Sequence, residues 1–310
     1  MVKIGLVYSD EYLKHETRNH PESAQRLNVI ISALKQSALW NDIELIEPGY
    51  ADEKDILTVH TPQLIKIIKK AIKEERAFLD MDTQISPDSY SVALLAAGGV
   101  IRAVDTVMNT QINRTFCAVR PPGHHATSDL SMGFCLLNNI AIGARYAIRK
   151  YNLERILIID WDLHHGNGTQ DIFYNKKDVF YISLHQFPHF PGTGSDSETG
   201  SGEGKGYTLN FPMKAGFGEK DYMDKLNNEI DQAVSSYKPQ LILISAGFDA
   251  HHRDPLGMIN LSSDSYFKIT LKIKEFAEKY TGGRMISVLE GGYDLPALQE
   301  SVLKHMAALR

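Results

Sequence analysis

The sequence predicts an α/β fold, a three-layer α/β/α arrangement around a mostly parallel, open sheet. Three observations carry that expectation. Short apolar, β-branched runs such as Ile156 to Ile159 and Leu241 to Ser245 lack the alternation of a half-solvated strand, so both of their faces need a cover. Segments with apolar residues at helical spacing separate these runs, and strand–helix alternation is the pattern of parallel pairing. The runs end abruptly in histidine, aspartate, glycine or proline, and open parallel sheets collect their chemistry at the carboxyl ends of their strands.

Taken in order, residues 2–8 read as the first strand. A polar loop from Ser9 leads to His20-Pro21-Glu22, which opens a helix through Arg26, Leu27, Ile30, Ile31 and Leu34. Apolar residues at i, i+3, i+4 and i+7 support that helix, and proline is tolerated at its start. Asp52 to Glu75 gives two short helices divided at Thr61-Pro62, and Pro87 to Met108 gives a long one. The small stretch Ala96-Ala-Gly-Gly99 in that helix calls for close packing against a neighbour. A strand at 114–119 delivers Arg120-Pro-Pro-Gly-His-His-Ala126, a loop whose prolines and glycine can continue neither strand nor helix. A helix at 137–150, a strand at 156–160 and a strand at 179–184 follow. The loop 185–206 is long and rich in Gly, Ser and Pro, which marks it as functional or disordered. Strands at 207–211, 240–245 and 285–289 alternate with helices at 218–237 and 263–280, and a last helix follows Glu290-Gly-Gly-Tyr293. No linker-like shift in composition interrupts the chain, so residues 1–310 are expected as one domain.

Composition narrows the function classes. Hydrophobic content of 43% and charged content of 23% fit an ordinary globular protein. A formal net charge of −5 without a polybasic block argues against direct nucleic-acid binding. No strand leads into Gly-x-Gly-x-x-Gly, which removes a dinucleotide site. The segment Met1 to Tyr8 is too short and strand-like for a signal peptide, and no run of ~18 apolar residues suggests a membrane span. Two cysteines, Cys117 and Cys135, with no CxxC partner point to structural thiols in a reducing, cytoplasmic compartment.

Five expected strand ends carry polar candidates: His124 and His125; Asp160, Asp162 and His164; Ser183 and His185; Asp249; and Tyr293. Asp162 and His164, two residues apart on an extended segment, can face one side. Alone, such a pair reads more readily as an aspartate capping the next helix beside a hydrogen-bonded core histidine. With Asp249 it becomes three protein ligands and one open position, the pattern of a catalytic metal site. A divalent ion there would lower the pKa of a water toward ~7. A neighbouring histidine could take its proton and return it to a leaving amine. Tyr293, on a Gly-Gly turn, could donate to a carbonyl oxygen as negative charge develops. Metal, base and oxyanion donor together describe amide hydrolysis.

The same residues resemble a known family. Arg120-Pro-Pro-Gly-His-His-Ala126, Gly133-Phe134 with Asn138-Asn139, Asp160-Trp-Asp-Leu-His-His-Gly166, Pro191-Gly-Thr-Gly194, Ala246-Gly-Phe-Asp249 with Asp254-Pro-Leu-Gly257, and Gly291-Gly-Tyr293 occur in this order. From His20-Pro-Glu22 onward the chain resembles the zinc-dependent histone deacetylases and acetylpolyamine amidohydrolases, in their class II-like, bacterial-type wording. The resemblance implies an arginase/deacetylase-like fold and a catalytic Zn2+, or Fe2+ or another divalent ion, on Asp162, His164 and Asp249. It implies His125 as the proton-transferring histidine, His124 as its electrostatic partner and Tyr293 as the carbonyl-polarising group. Asp160 would orient His124, and Asn167 would hold His125. Class I relatives carry aspartate at that last place, so the neutral amide should leave His125 less cationic. A structural K+ would sit on Asp160, Ser183 and the carbonyls of Asp162, His164 and Leu184. A second would take carbonyls of Phe173, Lys176, Val179 and Tyr207. Gly133, Phe134, Phe190, Gly291 and Gly292 would line an acyl-lysine tunnel with Leu256 at its rim. The implied substrate is an acyl-lysine protein or peptide, or a small acylated amine such as an acetylpolyamine, with neither nucleic acid nor membrane as partner.

Two rival readings are weaker. Arginase-type dinuclear hydrolases resemble D-x-H-x-D plus D-x-D-x-x-D-P, and here Gly166 and His251 stand where two of those carboxylates would be. A non-catalytic binding module would be expected to lose a catalytic group, and both histidines and Tyr293 are present. His251-His252 read as exposed loop residues. His165, His185, His189 and Cys135 read as packing or tunnel-wall residues, and Phe134 and Phe190 equally as core aromatics.

Overall fold

A strand that is apolar along its whole length is stable only where both faces are covered. The computed structural model, which describes residues 3–310, supplies that cover for one eight-stranded sheet. Met1 and Val2, at the start of the expected first strand, lie outside the described residues. The strands are β1 (Ile4–Val7), β2 (Ile43–Ile46), β3 (Arg114–Cys117), β4 (Ile156–Asp160), β5 (Val179–Gln186), β6 (Thr208–Met213), β7 (Leu241–Ala246) and β8 (Met285–Leu289). Their order is β2-β1-β3-β8-β7-β4-β5-β6, and every pairing is parallel. The inner strands β4, β7 and β8 are buried at every residue. They end nearly level: Asp160 stands opposite Ser183 and Ser245, and Ala246 opposite Leu289. The turns that follow therefore leave from one edge.

Close packing is visible at the small stretch of the long helix Ser89–Asn109. A Cβ at Gly98 would lie 1.8 Å from the Gly49 carbonyl oxygen, and one at Gly99 would lie 2.6 Å from the Tyr12 hydroxyl. This helix is long and apolar enough to cross a membrane, with a mean hydropathy of 1.5, contrary to the expectation that no such stretch exists. Two-thirds of that window (67%) is buried inside the fold, as befits a core helix.

The structure corrects several boundaries. β2 carries no clear sequence signal because a four-residue edge strand reading Ile-Glu-Leu-Ile, with Glu44 and Leu45 exposed, lacks the continuous apolar run of the inner strands. The first helix starts at Ala24 after Ser23 rather than at Pro21. Residues 218–237 form two α-helical pieces, Glu219–Lys225 and Asp231–Tyr237, joined by a π-helical turn at Leu226–Ile230. β5 extends to Gln186 because β6 pairs with it as far as Met213.

Glu22 is held out of the first helix by a buried ion cluster. Arg120 donates to its carboxylate from Nε at 2.5 Å and Nη2 at 2.8 Å, and Arg26 from Nη1 at 3.3 Å. Burial pushes the Glu22 carboxyl up, but Arg120, with His15 and Arg26, overrides it and brings the pKa to about 2. Glu22→Gln removes one partner and leaves buried guanidinium charge uncompensated, a loss of about 3–5 kcal/mol at neutral pH. The folded-state pKa lies below the ordinary ~4.3, so this contribution is complete above that value and lost as pH falls toward 2. The difference in unfolding free energy between parent and Glu22→Gln should narrow across that window; a constant difference would refute the assignment.

Candidate active site

Each turn at the carboxyl edge brings its polar residues inward. β4 ends in Asp160 and turns through Asp162 and His164, β7 leads to Asp249, and β8 leads to Gly291 and Tyr293. The loop after β3 carries His124 and His125. It is fixed by the Glu290 carboxylate, which accepts from the Gly123 amide at 2.7 Å and the His124 amide at 3.1 Å. A cavity of about 250 Å³ opens here, with His124, His125 and His164 at its base, flanked by Gly291 and Tyr293. Its walls include Gly133, Phe134 and Phe190, with Leu256 and Asp82 also lining it. A larger groove of about 1200 Å³ lies at the opposite edge of the sheet, around Phe180, Tyr207 and Tyr237, and holds none of these groups.

The two histidines sit 4.0 Å apart between ring centroids but are oriented by different partners. His124 Nδ1 donates to Asp160 Oδ2 at 3.1 Å, and His125 Nδ1 donates to Asn167 Oδ1 at 2.8 Å. The Asn167 amide nitrogen faces Met132 Sδ at 3.5 Å, which fixes which end of the amide meets His125. Burial lowers the His124 pKa, but Asp162 and Asp160 raise it further, to about 10. His125 moves the other way. Burial, then the charges of His124 and His164, hold it well below its usual value. The carboxylate partner thus favours a proton on His124, while His125, held through Nδ1 by a neutral amide, is biased toward the uncharged form.

Asp162, His164 and Asp249 converge behind this pair, each offering a ligand atom within 4.8 Å of the others. His164 Nδ1 lies 3.2 Å from Asp162 Oδ1 and 3.0 Å from Asp249 Oδ2. Backbone amides set the carboxylates: Gly291 donates to Asp162 Oδ2 and Leu163 to Asp249 Oδ1, both at 2.8 Å. Space is kept for a guest by glycines. A Cβ at Gly291 would lie 2.2 Å from Asp249 Oδ2, and one at Gly247 would lie 2.0 Å from Asp162 Oδ2. Two carboxylates and an imidazole suit a divalent ion of the zinc type. Burial lowers the His164 pKa, but its hydrogen bonds to Asp162 and Asp249 raise it to about 10. A bound ion would replace that proton. The two carboxylates split: Asp162 is held low by His124 and His164 against its burial, while burial and the charge on Asp162 push Asp249 up.

A model of the histone deacetylase domain matches residues 20–309. The chain belongs to the histone deacetylase family. It is 42% identical to a probable deacetylase of Archaeoglobus fulgidus, over 94% of this chain and 81% of the relative. A histone deacetylase-like amidohydrolase of Pseudomonas aeruginosa is 36% identical over 94% of this chain and 78% of its own. The crystal structure titled HDA15 HD domain superposes with a TM-score of 0.94 at 33% identity, covering 99% of this chain and 88% of that one. Family and fold thus agree with the resemblance read from the motifs.

Within the family frame, most expected site residues come together, and a few do not. Gly292 does not line the cavity; its carbonyl accepts from Arg26 Nε at 2.7 Å, and its backbone packs near Phe248 and Leu298. His251 is 3% exposed, not a free loop residue as expected, because a backbone bridge to Leu261 folds it inward and its Nδ1 accepts from the Arg253 amide. His165 and His185 pack behind the site, bonded to Thr193, Gln170, Ser183 and Gly194, while His189 lines the cavity. Asp160, Ser183 and Leu184 are buried at the site edge, whereas Phe173, Lys176, Val179 and Tyr207 lie around the amino-terminal ends of β5 and β6. Sequence reasoning gave no role to Arg26, Asp254 or Asp82. Arg26 bonds the Glu290 and Gly292 carbonyls and places its guanidinium carbon 5.0 Å from the Tyr293 ring centre. Asp254 accepts from the Tyr293 amide at 2.7 Å. The run Asp254-Pro-Leu-Gly257 pointed toward the second of these; nothing local in the sequence pointed to Arg26 or Asp82.

Proposed function

We propose that this chain is a zinc-dependent deacetylase, a single catalytic domain that removes acetyl or another short acyl group from the side-chain amine of acyl-lysine in proteins or peptides. The observation that carries the reading is the pair of histidines held by unlike partners, His124 by the Asp160 carboxylate and His125 by the Asn167 amide, set beside the three convergent donors. Asp162, His164 and Asp249 would hold the divalent ion, which would supply a polarised amide carbonyl and a water made nucleophilic near neutral pH. His125 Nε2 takes the proton of the attacking water and passes it to the leaving amine. Asp160 orients His124 beside His125, and burial together with that neighbour favours the neutral form of His125. Tyr293 has its pKa pushed well above the usual value, chiefly by burial, so the hydroxyl keeps its proton and can donate to the developing oxyanion. Arg26 and Asp254 fix the turn that aims it.

Phe134 and Phe190 would flank the aliphatic stem of the substrate, with Leu256 at the rim. His251, bonded within its own loop, and Gly166 supply no second set of metal donors, which favours one catalytic ion over two. Structural K+ is proposed on Asp160, Ser183 and the carbonyls of Asp162, His164 and Leu184, with a second on those of Phe173, Lys176, Val179 and Tyr207. Cys117 and Cys135, both buried and unpaired, suit a reducing cytoplasmic setting. The test is turnover of acetyl-lysine peptide beside N-acetylputrescine by zinc-reconstituted protein. Preference for the peptide is expected; preference for the polyamine would turn the reading to an acetylpolyamine amidohydrolase.

A further inference from the structure

We infer that Thr83 is a positioning residue that sets the Phe134 wall of the cavity, an inference that rests on the deacetylase reading above. Residues 132–135 form a tight turn, closed by the Cys135 amide donating to the Met132 carbonyl at 3.0 Å. Its two central residues have positive φ, +56° at Gly133 and +69° at Phe134. Gly133 has a reason for its identity, since a Cβ there would lie 2.5 Å from the His125 ring. Phe134 has none of that freedom: left-handed backbone is unfavourable for a bulky residue and persists only where its surroundings impose it.

The closing bond of the turn leaves the Phe134 amide unused, and Thr83 Oγ1 accepts it at 3.1 Å. Thr83 is itself fully buried and braced. Its amide donates to Asp80 Oδ1 at 2.7 Å, the Asp82 amide donates to the same oxygen at 3.1 Å, and its carbonyl accepts from the Leu79 amide at 2.9 Å. A bridge between Phe78 and Gln84 closes this small hairpin. On its other side the Phe134 ring meets His20 edge-on, 4.4 Å between centroids, and Tyr293 at 5.8 Å. Thr83 is therefore the anchor that keeps the backbone of Phe134 left-handed and its ring on the cavity. Asp82, the preceding residue, lines the same cavity. One hairpin thus places both a polar group and, through Thr83, an apolar wall.

Thr83→Val keeps the shape of the side chain and removes the acceptor, leaving a buried N–H unsatisfied. With zinc-loaded protein and an acetyl-lysine peptide, Thr83→Val should raise KM at least about ten-fold and change kcat less than about three-fold, because His125, Asn167 and the metal donors are untouched. Thr83→Ser, which keeps the hydroxyl, should restore KM, and Thr83→Ala, which places no methyl against the amide, is read alongside in case the valine variant does not fold. Affinity for an aliphatic hydroxamate, measured by calorimetry, should fall with the same pattern and needs no turnover. A KM and hydroxamate affinity within two-fold of the parent in both variants would overturn the inference. So would kcat and KM worsening together with the thermal midpoint in Thr83→Ser as well. Absence of acyl-lysine turnover in the parent would instead count against the deacetylase reading, while the hydroxamate series still decides the role of Thr83.

Discussion

Tyr293→Phe is expected to lower turnover of an acetyl-lysine peptide by ~10²–10³-fold, the usual effect of removing one oxyanion donor from a dry site. No group among the described residues hydrogen-bonds the Tyr293 hydroxyl, so its deletion orphans no internal partner. The ring keeps its contacts with Arg26 and Phe134, and the backbone keeps Asp254. In the proposed mechanism the hydroxyl would act on charge that develops only as the carbonyl is attacked, so the loss should fall in kcat rather than in KM. Zinc content should match the parent. Hydrolysis within a few-fold of the parent would make Tyr293 a structural residue and remove it from the mechanism.

Asp249→Ala should have the larger effect, loss of most of the zinc and with it turnover below detection. Two donors, Asp162 and His164, remain, and two ligands do not make the three-ligand site that holds a catalytic ion. The substitution also frees the Leu163 amide, which donates to Asp249 Oδ1 and ties the turn after β4 to that after β7. Metal analysis after dialysis, with circular dichroism to confirm the fold, reads the result. Full stoichiometry in a folded Asp249→Ala protein would place the ion elsewhere.

How much of this was legible in the sequence depends on where each interaction closes. The inner strands announce themselves, because a run buried on both faces must be apolar throughout, and their ends carry Asp160, Asp162, His164 and Asp249 within a few residues. Gly247 travels with Asp249 in its motif and Gly291 with Tyr293, although the carboxylates they make room for, Asp162 and Asp249, come from other turns. β2 was hidden because an exposed edge strand needs no such pattern. Arg26 was hidden for a different reason: it reads as one more polar position on an amphipathic helix, while its partner carbonyls lie 264 and 266 residues away. Thr83 and Asp82 likewise belong to a short hairpin whose meaning appears only when Phe134 packs on it. Helical periodicity overshot at Pro21 because Glu22 answers to Arg120 rather than to its own helix.

The strand order also governs what a ribosome exposes as it makes this chain. β3 and β4 are consecutive in the sequence but are joined in the sheet only through β8 and β7, the last two strands to be synthesised. Until those emerge, β1–β3 and β4–β6 are two separate half-sheets, each ending in an open apolar edge. Asp249 follows His164 by 85 residues, or about 4–17 s of synthesis at ordinary rates. Nascent chains stalled before β7 therefore lack Asp249, one of the three candidate metal donors, and carry two unpaired edges. That interval is the one in which the chain is most open to edge-to-edge pairing with another copy.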